Sequence, residues 1–153
     1  MATISAESST IIDRPLEDVW AFVSDPRNEP KWHTDILEIK SAADQAGGPG
    51  KDWVLGERLL VTVQFMGPKQ YEVEVTAKEA NQRLEITTRT GPIKPVATYL
   101  FERSSEGTRF TRHVDIPLEG SVRLLQPLMR RNTQKRNARF VQNLKRLLEG
   151  NGV

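Results

Sequence analysis

The stretch that decides the fold is QPLMRRNTQKRNARFVQNLKRLLE, residues 126–149. With the residues before it, it carries a stripe of Leu118, Val122, Leu125, Met129, Thr133, Arg136, Phe140, Leu144 and Leu147, stepping by threes and fours. That spacing predicts a helix of about eight turns with one buried face. Gly120 and Pro127 interrupt it, so a break is expected near Gln126-Pro127, with the main helix running from there to Glu149. Gly150-Asn151-Gly152 terminates it. The ends of the stripe are apolar and its middle, Thr133 and Arg136, is polar.

Upstream of this helix the periodicity is two. Leu59, Val61, Val63 and Phe65 share one face of a strand, and after Gly67-Pro68 so do Tyr71, Val73, Val75 and Ala77. Leu84, Ile86 and Thr88 alternate with Arg83, Glu85, Thr87 and Arg89, the pattern of an antiparallel sheet with one wet face. Val96–Arg103 and Thr108–Ile116 form a hairpin about Ser104-Ser105-Glu106-Gly107. Pairing Arg103 with Thr108 sets Phe101 opposite Phe110 and Tyr99 opposite Arg112. Arg112 would then lie on an apolar inner face.

At the start of the chain, residues 3–13 predict a strand with Ile4, Ala6 and Ile12 on one face. Asp13 is expected to cap a helix through Leu16, Val19, Trp20, Phe22 and Val23, ending near Asp25-Pro26. Asn28–His33 gives a turn or second helix, Ile36 and Ile39 a short strand, and 42–53 a glycine-containing loop. The order is strand, short helices, about six strands, then a long helix. That helix needs the sheet's apolar face as its partner. The reading is one α+β domain over 1–153, with a cavity beside the polar middle of the helix.

Composition narrows function. There are no cysteines, which excludes disulfides and thiolate chemistry. The two histidines lack metal-ligand spacing, so no metal is expected. No phosphate loop or dinucleotide fingerprint is present, so no cofactor is expected. With neither a signal peptide nor a long apolar run, a cytoplasmic protein without integral membrane contact is expected, as a monomer or homodimer. Ser121–Glu149 holds eight basic residues and one acid. This cationic helix is read as complementing an acidic sheet, with solvated arginines outside, and not as a nucleic-acid surface, since no aromatics interleave its basic residues from Arg123 to Arg139.

Several motifs occur in order along almost the whole chain. Ile12-Asp13-Arg14-Pro15-Leu16-Glu17-Asp18-Val19-Trp20, followed by Asp25 and Trp32, resembles the opening of the START-like (SRPBCC) superfamily, which includes pollen-allergen-like proteins and polyketide cyclases/dehydrases. Arg14 stands where that pattern has a small residue. Glu106-Gly107-Thr108-Arg109-Phe110 resembles its penultimate turn, and Asn143-Leu144-Lys145-Arg146-Leu147-Leu148-Glu149 its ending. The resemblance implies a helix-grip fold: a curved seven-stranded antiparallel sheet around the C-terminal helix, with a hydrophobic tunnel between them. It does not fix an activity.

The leading expectation is non-covalent binding or transport of a small hydrophobic molecule. The candidate pocket residues are Trp20, Trp32, Phe65, Tyr71, Tyr99, Phe101, Phe110, Arg112, Met129, Thr133 and Arg136, with Phe140 a further wall. Tyr99 and Arg112 either orient a ligand carbonyl or carboxylate, or form a structural cation–aromatic pair. An alternative is a cofactor-free cyclase or dehydratase using Tyr99, Arg112 or His33. A third is a protein-interaction module using the basic helix. His113 is expected to point to solvent.

Overall fold

The computed structural model describes residues 2–43, 48–64 and 67–150. Strand β1 (Ala2–Ile12) is followed by helix α1 (Leu16–Val23), a 3-10 turn (Pro26–Asn28) and the short helix α2 (Glu29–Trp32). Six strands follow: β2 (Ile36–Ser41), β3 (Arg58–Gln64), β4 (Pro68–Glu79), β5 (Arg83–Thr88), β6 (Val96–Ser104) and β7 (Gly107–Leu118). A 3-10 turn (Gly120–Leu125) then leads into α3 (Gln126–Glu149). The sheet order is β1-β7-β6-β5-β4-β3-β2, every pair antiparallel. This is the helix-grip arrangement: α3 follows β7 and returns across β1 and β7.

The β6–β7 register is the one expected, with Tyr99 opposite Arg112 and Phe101 opposite Phe110. Its turn requires Gly107, which has φ +131 and whose added Cβ would stand 2.2 Å from the Ile12 carbonyl oxygen. Beside it, the buried Thr108 hydroxyl donates to the Arg14 carbonyl at 2.8 Å, fixing the chain between β1 and α1. Thr108→Val should cost about 1 kcal/mol in chemical denaturation, because the hydroxyl's bond is lost in a site closed to water.

Two local expectations are corrected. Asp13 does not cap α1: Pro15, extended, holds the N-cap position without a side-chain bond. The Asp13 N–H instead donates to the Glu149 carboxylate at 2.8 Å, which pins the end of α3 to the end of β1. Lys145 reinforces that join through Glu149 (2.8 Å) and the Ile11 carbonyl (2.5 Å). In β4, Ala77 does not share the face of Val75. The register shifts at Thr76, after which Ala77 pairs with outward Glu85 and Lys78 with inward Leu84. A bulge adds one residue, and with a period of two that exchanges the faces. Lys78 accordingly turns inward and donates to the Trp53 carbonyl at 2.6 Å.

The break before α3 falls where expected, with Pro127 in the first turn, where an intrahelical N–H bond is not required. The grip itself is one-ended. The buried residues of α3 are Asn137, Phe140, Val141, Leu144 and Leu148, all from its midpoint onward. The buried side chains of the sheet and helices form a large core around Trp32, Tyr99, Phe101 and Phe110, and those of β1 and β7 a smaller one of Ile4, Val114, Ile116 and Leu118.

Candidate functional site

A polar layer lies beside the large core, built on α2, β6, β7 and α3. Its position on α2 begins with the 3-10 turn. Asp25 accepts the Arg27 N–H at 3.0 Å and grips the Arg27 guanidinium through both carboxylate oxygens. The Asn28 side-chain amide donates to the Phe22 carbonyl at 3.0 Å. The chain is thereby turned so that Glu29 and Trp32, three residues apart on α2, point the same way and are both buried. Asn143 of α3 donates to the Trp32 carbonyl at 3.2 Å and holds α2 against α3.

Inside, the Tyr99 phenol donates a short hydrogen bond to Glu29 Oε2. Arg112 Nη1 donates to Asn137 Oδ1 at 2.5 Å, and the Asn137 amide returns a bond to the Arg112 carbonyl at 2.9 Å. The Arg112 guanidinium lies 5.8 Å from the centroid of the Tyr99 ring and 5.4 Å from that of Phe140. Glu29, Tyr99, Arg112 and Asn137 are all buried. His33 packs its ring 4.3 Å from Phe140, with Nδ1 3.7 Å from Glu29 Oε2, beyond hydrogen-bond reach. Glu29 Oε1, His33 Nδ1 and Arg112 Nε are buried without a protein partner. Glu29 and His33 stand on and at the end of α2 and Arg112 on β7, and buried polar atoms of this kind take a partner from water or from a bound group.

Burial pushes the Glu29 carboxyl up to about 7, although the Tyr99 hydrogen bond and the Arg112 charge both act to hold it down. Burial, aided by the Arg112 and Arg136 charges, keeps His33 well below its ordinary value, so its approach to Glu29 is not an ion pair at neutral pH. Burial and the adjacent Glu29 push Tyr99 well above the usual phenol range. At neutrality the layer therefore holds one fixed cation, a neutral imidazole, a neutral phenol and a carboxyl near its midpoint.

Of the candidate residues, Trp32, Tyr99, Phe101, Phe110 and Arg112 come together. Trp32 lies 5.4 Å from Tyr99 and 5.8 Å from Phe110 between ring centroids, and Trp20 borders the group 5.0 Å from Phe101. Met129 is separate, half-buried against the smaller core. Tyr71 lies under Gly91 on β4, where an added Cβ would meet its ring at 2.5 Å. Thr133 is half-buried. Arg136 is turned to the rim, bound by Asp35 through Nε at 2.8 Å. Phe65 lies outside the described residues. His113 faces outward, bonded to Glu7 and Asp115. Glu29 and Asn137 carry the layer but were not among the candidates. Two open clefts, of about 450 and 340 Å³, lie elsewhere, around Leu148 and Glu149 near the end of α3. Among the described residues no acid, histidine or cysteine cluster suits a metal, and no helix is long and apolar enough to cross a membrane.

The polyketide cyclase/dehydrase and lipid transport family matches residues 3–149. The chain belongs to that family. Among solved structures, this member of the polyketide cyclase/dehydrase and lipid transport family is similar to a Staphylococcus aureus protein of unknown function, with a TM-score of 0.73 and 10% identity over 97% of this chain and 94% of that one. It is also similar to protein MLL2253 of Mesorhizobium loti, with a TM-score of 0.67 and 16% identity over 95% and 96% of the two chains. DynU16, from the dynemicin biosynthetic locus, gives a TM-score of 0.62 and 20% identity over 95% of this chain and 47% of its own. These likenesses concern the fold. No functionally curated protein matches the sequence.

Proposed function

We propose that this chain binds and carries a small hydrophobic molecule between the first half of α3 and the inner face of β6 and β7, with the Glu29–Tyr99–Arg112 layer at the inner end. The observation carrying this reading is the one-ended grip: no residue of α3 before Asn137 is fully buried. On and before that half, Met129 and Val122 are only half-buried against the smaller core, as are Ile93 and Ala97 from the sheet side. An apolar molecule laid there would remove this surface from water, at roughly 25 cal/mol per Å² covered. Ala97 and Tyr99 are successive inner-face positions of β6, paired with Val114 and Arg112. A molecule touching Ala97 therefore has the polar layer one step deeper. The lipid-transport side of the family description agrees with this reading.

A second reading, a cyclase or dehydratase, is favoured by Glu29 alone. A buried carboxyl near its midpoint at neutrality can both give and take a proton. Against it, Tyr99 is engaged by Glu29 and Arg112 by Asn137.

Titration with 1-anilinonaphthalene-8-sulfonate, followed by its fluorescence, tests the site. The native protein should show saturable enhancement, and Met129→Trp should weaken it at least about tenfold by filling the space. Equal affinity in the variant would place the site elsewhere. No enhancement with the native protein would remove the carrier reading.

A further inference from the structure

We propose that the 3-10 turn Gly120–Leu125 and the outward face of α3 form a docking surface for an anionic lipid membrane. Three leucines stand out of the protein here: Leu124 is 82% exposed, Leu125 53% and Leu128 70%. They begin a solvent-facing stripe of α3, Leu128, Arg131, Lys135, Arg139, Gln142 and Arg146, every member of which is exposed. The stripe steps by 3, 4, 4, 3 and 4 residues, one helical face. Apolar side chains thus occupy one end of a face that is otherwise almost entirely cationic.

The expected internal neutralisation of the basic helix holds for only part of it. Arg136 and Arg139 reach Asp35, and Lys145 reaches Glu149. Arg123, Arg130, Arg131 and Lys135 have no ion pair or hydrogen bond among the described residues. Arg123, Arg130 and Arg131 lie within three residues of one of the leucines, Lys135 follows one turn after Arg131, and between Gly120 and Leu148 the sequence contains no acid. An interfacial helix has this composition: leucines enter the headgroup boundary while long cationic side chains remain at the charged surface. Each cation near an anionic leaflet contributes roughly a fivefold gain in partitioning.

A polyphosphate partner would use the cations but leave the leucines in water, and no aromatic side chain interleaves them for base stacking. The combination favours lipid. Docking this way needs no occupant in the proposed ligand site. It would set Val122 and Met129, neighbours of the exposed leucines, near the membrane.

Co-sedimentation of the full chain with phosphatidylcholine vesicles, with and without phosphatidylserine, tests the proposal. The protein should pellet only with the anionic vesicles, and less as salt rises. Arg131→Glu with Lys135→Glu should weaken this at least about tenfold. Leu124→Ser with Leu128→Ser, at unchanged charge and unchanged circular dichroism, should also weaken it severalfold. Retention in the supernatant with anionic vesicles overturns the proposal. So does undiminished binding by the leucine pair, which would mark a purely electrostatic surface of the kind an acidic protein or nucleic acid would use.

Discussion

Replacing Arg112 with methionine lowers stability by about 3–5 kcal/mol at pH 8, and by distinctly less at pH 5. Methionine fills much of the same space, so the loss comes mainly from charge. In the native protein Arg112 is a buried cation acting on Glu29 and bonded to Asn137 at 2.5 Å. Without it, an ionised Glu29 has no compensating charge, and the folded state must keep the carboxyl protonated to a still higher pH. At pH 8 that demand is unfavourable. At pH 5 Glu29 is neutral with or without Arg112, leaving the lost Asn137 bond and the lost stacking on Tyr99 and Phe140. Urea denaturation at both pH values measures the difference. Adding Glu29→Gln to Arg112→Met should restore most of the pH 8 loss. An equal penalty at both pH values would mean that Arg112 does not act through Glu29.

The architecture was legible because it rests on periodicity. The hairpin register followed once Arg103 was set against Thr108, since antiparallel pairing leaves no freedom after one pair is fixed. The bulge at Thr76 was not legible, because Tyr71, Val73, Val75 and Ala77 alternate as an uninterrupted strand would. The site was half legible. Arg112 and Tyr99 were found because a charge on an apolar face is conspicuous. Asn137 was passed over for Arg136, its neighbour in sequence, because both fit a three-or-four spacing after Thr133. The arbiter was downstream: Val141 and Leu148 are buried, and that centres the stripe on Asn137. Glu29 was harder. Its only sign was its position three residues before Trp32, on the same face of a helix too short to show a period. What buries it is the turn made by Asp25, Arg27 and Asn28, a tertiary effect of side-chain bonds.

Glu29→Gln flattens the pH dependence of stability between about 4.5 and 7. The ordinary glutamate value is 4.5, and in the folded protein Glu29 holds its proton up to about 7. Between those values the folded state binds more protons than the unfolded chain, so raising the pH favours unfolding. The native protein therefore has this contribution in full below 4.5 and loses it as pH rises through 7. At about 1.4 kcal/mol per pH unit the whole window amounts to on the order of 3 kcal/mol. Glutamine is neutral throughout and can still accept the Tyr99 hydrogen bond, so the variant should gain on the native protein from pH 5 to 8 and then hold a constant lead. Tyr99→Phe provides the opposite displacement: losing the bond that holds the carboxyl down moves the native midpoint above 7. The same two variants bear on the ligand. A bound molecule that reaches this layer must have an affinity that changes with pH around 7 in the native protein and does not in Glu29→Gln. A molecule bound with the same affinity by both across that range stops short of Glu29, leaving the carboxyl to shape stability alone.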